Sequence, residues 1–162
     1  MRFLKIVGVG AMLAMMSGCA MSHDAPADPQ KSMADAKSLT QRSESAAIGY
    51  LPKADVRDIK QLSEGTFLQC ADGYQWSGNI RATLSDGVNG SKAQETIAVA
   101  AKERGDEVEE DKLLSGRRRY SISTDEGVRL LVTVWEQGTV IDIDSASPCF
   151  KLPDDFRRPR TF

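Results

Sequence analysis

VRLLVTVWEQGTVIDIDS, residues 128–145, decides the fold of this chain. Val128, Leu130, Val132 and Val134 recur at every second position, and Ile141 and Ile143 do the same beyond the intervening EQG. A period of two is that of a strand with one buried face. The three residues EQG are short enough for a hairpin, so the stretch predicts two antiparallel strands, 128–135 and 139–145. Arg129, Leu131, Thr133 and Trp135 fall opposite the valines, and Asp142 and Asp144 point away from the isoleucines.

The alternation extends upstream. Residues 117–123 and 106–113 read as two more strands, with TDEG at 124–127 and SG at 115–116 as turns. TFLQC at 66–70 has strand composition, and Tyr74, Trp76, Ile80, Ala82 and Leu84 alternate with polar residues over 74–84, which places Trp76 in the core. Gly78 lies on the apolar register of that run, the mark of a bulge or of a close helix crossing. Residues 55–62, DVRDIKQL, fit a strand or a helical turn, and strand is the reading adopted. Ala93, Ile97, Ala100 and Ala101 predict a helix over 91–104, capped by Ser91 or Asn89 and ended by Gly105. Met33, Ala36, Leu39 and Ala46 or Ala47 recur at helical intervals from Pro29 to Ala47, before Gly49 and Pro52. That stripe is thin, which places the first helix against the domain edge. The expected fold is α+β, a two-layer sandwich in which an antiparallel sheet of about five strands carries helices on one face.

The amino end follows a different logic. Arg2 and Lys5 precede an uncharged run from Ile6 to Met16. That run is about 11 residues, against roughly 20 for a helix that crosses a bilayer, so residues 1–18 read as a signal peptide. It closes on Met16-Ser17-Gly18-Cys19, which resembles the lipobox of bacterial lipoproteins, with Met16 where Leu is commonest. The resemblance implies diacylglycerol on the Cys19 sulfur, cleavage before Cys19, and the membrane as a partner through that lipid. Ordinary secretion with cleavage near Ala20 is the alternative. Residues 19–30 read as a flexible tether, 31–152 as a single α+β domain, and 153–162, with Arg157, Arg158 and Arg160, as a basic frayed tail. With Cys19 committed to lipid, Cys70 and Cys149 remain, and outside the cytoplasm they are expected to pair. Closing a loop of about 80 residues stabilises a fold by roughly 4 kcal/mol on the chain-entropy model. Two thiols without a neighbouring histidine fall short of a zinc site, so no metal is assigned.

The tether, the first helix, the Cys-bearing strand, YQWSG, the helix ended by glycine, STDEGVRLLVTV and the final SPC together resemble small lipoproteins of actinobacteria over most of the mature chain. The resemblance implies an oxidised domain, lipid-anchored on the extracytoplasmic face of the cell membrane of a Gram-positive cell. It brings no activity, ligand or site residue with it.

Composition narrows the function. Removing residues 1–18 takes away Arg2 and Lys5 and no acid, leaving 19 basic and 23 acidic side chains, a net of −4. An acidic balance of this kind excludes nucleic acid as a partner. The single histidine, His23, lies in the tether, so no Ser-His-Asp or Cys-His set and no histidine-ligated metal can be built in the folded part. No catalytic residue and no cofactor is assigned. Asp142, Asp144 and the acidic residues of 106–111 read as solvent faces. Arg117, Arg118 and Arg119 have the charge to grip phosphate, but are expected to pair across a hairpin with Glu107 to Asp111. Leu131 and Trp135 form a candidate contact patch for a partner or a glycan, unless a helix or the tail covers them. The expected function is a non-catalytic module that binds or modulates an envelope protein or wall polymer. The alternatives are a carboxylate-dependent envelope hydrolase using Asp142 and Asp144, and a small-ligand carrier with an apolar cavity between helix and sheet.

Overall fold

The computed structural model describes residues 28–162. The signal peptide, Cys19 and its lipid, the alternative cleavage near Ala20, His23 and the tether as far as residue 27 lie outside the described residues. The first helix, α1 (Pro29–Ile48), starts where Asp28 Oδ1 accepts from the Gln30 N–H at 2.9 Å and proline stands ready for the first turn. Three strands follow, β1 (Val56–Gln61), β2 (Thr66–Cys70) and β3 (Gly73–Leu84), so DVRDIKQL is a strand. The second helix, α2 (Gly90–Glu103), is capped by Asn89, whose Oδ1 accepts from the Lys92 N–H at 3.0 Å. Gly105 leaves it at φ 98°, a conformation that favours glycine. Four strands complete the chain: β4 (Glu107–Lys112), β5 (Arg118–Ser123), β6 (Arg129–Trp135) and β7 (Val140–Ala146).

All strand pairs are antiparallel, in the order β1-β3-β7-β6-β5-β4, with β2 also on β3. From β3 the chain crosses through α2 to the far rim at β4, then returns by hairpins until β7 pairs with β3. The sheet has seven strands where about five were expected. The sheet is nevertheless only six strands wide, because β1 and β2 lie end to end on one edge of the 12-residue β3. Gln61 stands opposite Ile80 and Thr66 opposite Ser77, while residues 77–83 of β3 take β7 on the other edge.

Both helices pack on one face, α1 over β3 and β7, α2 over β4 to β7. Ile80, Ala82, Ile141, Ile143, Leu130, Val132 and Ile122 from the sheet meet Ile97, Ala98 and Ala101 of α2 and Ala47 and Ile48 of α1 in one buried cluster. Each fully buried isoleucine or leucine stabilises this arrangement by roughly 2 kcal/mol. The alanines of α2 hold it close to the strands.

α1 does not lie at the domain edge. Its buried line is Met33, Ala36, Thr40, Glu44, Ala47 and Ile48, a heptad-like spacing that crosses β3, whereas Ala46 is exposed. Two polar residues on that line made the apolar stripe look thin. Gly78 marks the crossing: a Cβ there would sit 2.4 Å from the Trp76 ring and 2.9 Å from Glu44 Oε1. Pairing with β7 continues through Gly78 without a register shift, so the glycine serves close approach and not a bulge.

Residues 153–162 do not fray. Phe156 and Phe162 pack against the cluster of Met33, Ala36, Phe67 and fully buried Trp76. Gly65 and Phe162 exchange two backbone hydrogen bonds at 3.0 and 3.1 Å, and Trp76 Nε1 donates to the Phe162 carbonyl at 2.9 Å. Arg158 stands over the rings of Tyr74 and Phe67, so part of the basic character of this segment is spent on aromatic faces. Cys70 and Cys149, 79 positions apart, form the expected disulfide and tie the β2–β3 turn to the segment after β7.

Candidate binding site

The period-two pattern of β3, β7, β6 and β5 leaves one sheet face without a helix. Across it, in register, run Arg81, Asp142, Thr133 and Arg119, ending at Asp111 of β4. A second row holds Asn79, Asp144, Leu131, Ser121 and Glu109. Opposite charges face each other along the first row, which is cross-strand pairing at work.

Asp142 and Asp144 are joined by the Asn79 amide, which donates to Asp144 at 3.0 Å and to Asp142 at 3.3 Å. Arg81 Nε meets Asp142 at 3.0 Å, and its second nitrogen reaches Glu136 at 3.2 Å. Burial pushes the Asp142 carboxyl above its ordinary range, and the Asp144 charge adds to this against the pull of Asn79 and Arg81. The two carboxylates are therefore engaged with neighbours on their own sheet.

Leu131 and Trp135 fall on this same uncovered face by strand register, with Trp135 at the end of β6 toward the first turns of α2. They do not form one apolar surface. Thr133 stands between them, Leu131 is half-buried beside Ser121 and Asp144, and Trp135 is 39% exposed. The indole N–H of Trp135 donates to Thr133 Oγ1 at 2.8 Å, and the Arg117 guanidinium stacks 3.8 Å from the indole ring centre. What covers the tryptophan is an arginine.

The arginine triplet divides. Arg119 pairs with Asp111 across the β4–β5 hairpin through both oxygens, and this pair holds the Asp111 carboxyl below its ordinary range. Arg117 and Arg118 hold neutral oxygens instead: Arg117 reaches Ser115 Oγ at 3.2 Å and the Val134 carbonyl at 3.5 Å, and Arg118 reaches the Ser91 carbonyl at 3.4 Å. Neither has an ion-pair partner among the described residues.

These two arginines border a cleft of about 350 Å³ between the first turn of α2 and the β6–β7 turn, lined also by Ser91, Gln94, Trp135 and Glu136. Gly90 lets the elements close on each other, since a Cβ there would meet the Gly138 carbonyl at 2.3 Å. Gln94 is 1% exposed, and its Nε2 donates to the carbonyls of Val132 at 2.8 Å and Arg118 at 3.1 Å.

A second buried polar group lies elsewhere. Glu44 is fully buried on α1, its oxygens held by the Ser145 hydroxyl and by Gln61 Nε2 at 2.6 Å, both neutral donors. Burial lifts its carboxyl above the ordinary range, against the two hydrogen bonds. The signal for Glu44 was its place in the 33, 36, 40, 44, 47 series; Gln94 likewise sits on the inward stripe of α2. The cleft itself had no local signal, because Ser91, Arg117 and Trp135 come from three separated segments.

Among the described residues no group of three or more histidine, cysteine or carboxylate side chains is placed to hold a metal ion, and no helix is long and apolar enough to cross a membrane. No family model, curated protein or solved structure matches the chain.

Proposed function

We propose that this chain is a lipid-anchored extracytoplasmic domain that binds or modulates another component of the cell envelope without catalysis. The observation that carries this reading is the Cys70–Cys149 bridge. A bond of this kind persists in an oxidising compartment, where a lipobox-type leader ending at Cys19 would deliver the chain. Support also comes from the open sheet face: Asp142 and Asp144, the carboxylates a hydrolase would need, are occupied by Asn79 and Arg81.

Cell fractionation with mass spectrometry of the mature amino end tests the reading. The expected product begins at Cys19, carries diacylglycerol and sediments with membranes, and Cys19→Ser releases it from them. A cellular product that still begins with Met1, or one whose Cys70 and Cys149 react with a thiol reagent before reduction, overturns it. Cross-linking in intact cells then names the partner.

A further inference from the structure

The cleft between α2 and the β6–β7 turn carries chemistry that the scaffold does not use. Arg117 and Arg118 are half-buried and lack a carboxylate. Partly desolvated guanidinium groups with neutral neighbours bind oxyanions well, and the planar fork of arginine suits carboxylate or phosphate oxygens. Glu136, the carboxylate on the rim, is taken by Arg81. The α2 amino end adds partial positive charge at Ser91.

Gln94 adds an independent constraint. Its amide nitrogen is fixed by two backbone carbonyls, so the side-chain oxygen is fixed too, and the residue lines the cleft. No donor reaches that oxygen among the described residues, and it is not sealed from solvent, since no fully buried side-chain polar atom there lacks a partner. A residue 1% exposed that lines a cleft with an unpaired acceptor asks for a hydroxyl or amine donor from whatever enters. Trp135 offers the apolar edge against which a ring or carbon chain lies.

We infer that this cleft binds a small hydroxylated oxyanion, a polyol phosphate or a sugar acid, with Arg117 and Arg118 on the anion and the Gln94 carbonyl oxygen on a hydroxyl. A volume of about 350 Å³ admits one such unit. The assignment deepens the reading of the chain as a binding module and names the ligand class. It does not depend on the anchor.

The test is a titration of the oxidised full chain, followed by the backbone amide of Ser91 and the indole N–H of Trp135 in NMR spectra. Glycerol 3-phosphate and glucuronate are expected to give saturating shifts at both positions, with glycerol 3-phosphate binding at least about tenfold more tightly than inorganic phosphate because the hydroxyls reach Gln94. Arg117→Ala/Arg118→Ala is expected to weaken binding at least about tenfold, and raised salt to weaken it further. A second arm presents the same group as phosphatidylglycerol vesicles and separates a lipid headgroup from a soluble or polymer-borne source. Binding in either arm supports the site. Absence of saturating shifts in both arms, equal affinity for inorganic phosphate, or unchanged affinity in the double variant overturns it. The ligand comparison on the unaltered chain needs no variant to fold. A failed titration leaves the Cys19 reading standing, and a failed fractionation leaves the cleft standing.

Discussion

At the scale of single residues, Glu44 is a fully buried carboxyl held by neutral donors. A carboxyl whose folded pKa lies above its unfolded value binds more protons in the folded state between the two, so its share of stability falls as pH rises through that window. Glu44→Gln removes the charge and can keep an acceptor toward Gln61. It is expected to be more stable than the parent at neutral pH and to lose that advantage as pH falls through the carboxylate range. Denaturant melts of both proteins across pH check this. Gly78→Ala is the opposite case. Its Cβ would meet the Trp76 ring at 2.4 Å and Glu44 Oε1 at 2.9 Å, and the expected cost is about 2 kcal/mol or more by the same melts.

At the scale of elements, the ends of the chain are fastened by different means. Replacing Cys70 and Cys149 with serine removes a closure of 79 positions and is expected to cost about 2–4 kcal/mol in denaturant unfolding. Deleting Thr161 and Phe162 takes away two backbone hydrogen bonds to Gly65 and the acceptor of Trp76 Nε1, and uncovers Phe67. The expected result is a red shift of tryptophan emission and a lower melting temperature. Strands were legible in the sequence wherever alternation was strict, as in Val128 to Val134 and Ile80 to Leu84. α1 was misplaced because Thr40 and Glu44 occupy inward positions that composition assigns to the surface. The C-terminal segment was misread because Arg157, Arg158 and Arg160 outweigh Phe156 and Phe162 in any local count, although the phenylalanines decide where it goes. Of the candidate site, Trp135 and the arginine triplet were visible. Their partition was not, because it depends on α2 bringing Ser91 and Gln94 beside Arg118.

At the scale of the whole molecule, the central sheet closes by its most distant pairing of strands, β3 with β7. Contacts of that separation make folding slow, on the order of milliseconds to seconds. The oxidised chain is expected to refold faster than the reduced one, because the bridge already holds the two partners near each other; stopped-flow refolding of both forms measures the difference. The last consequence concerns the far rim. β4 ends the sheet with Glu107, Glu109, Glu110 and Asp111 within six residues. A second copy arriving edge to edge would set carboxylates against carboxylates, so this edge strand refuses to template its own continuation. Molecules crowded together on a surface would then stay separate along that margin.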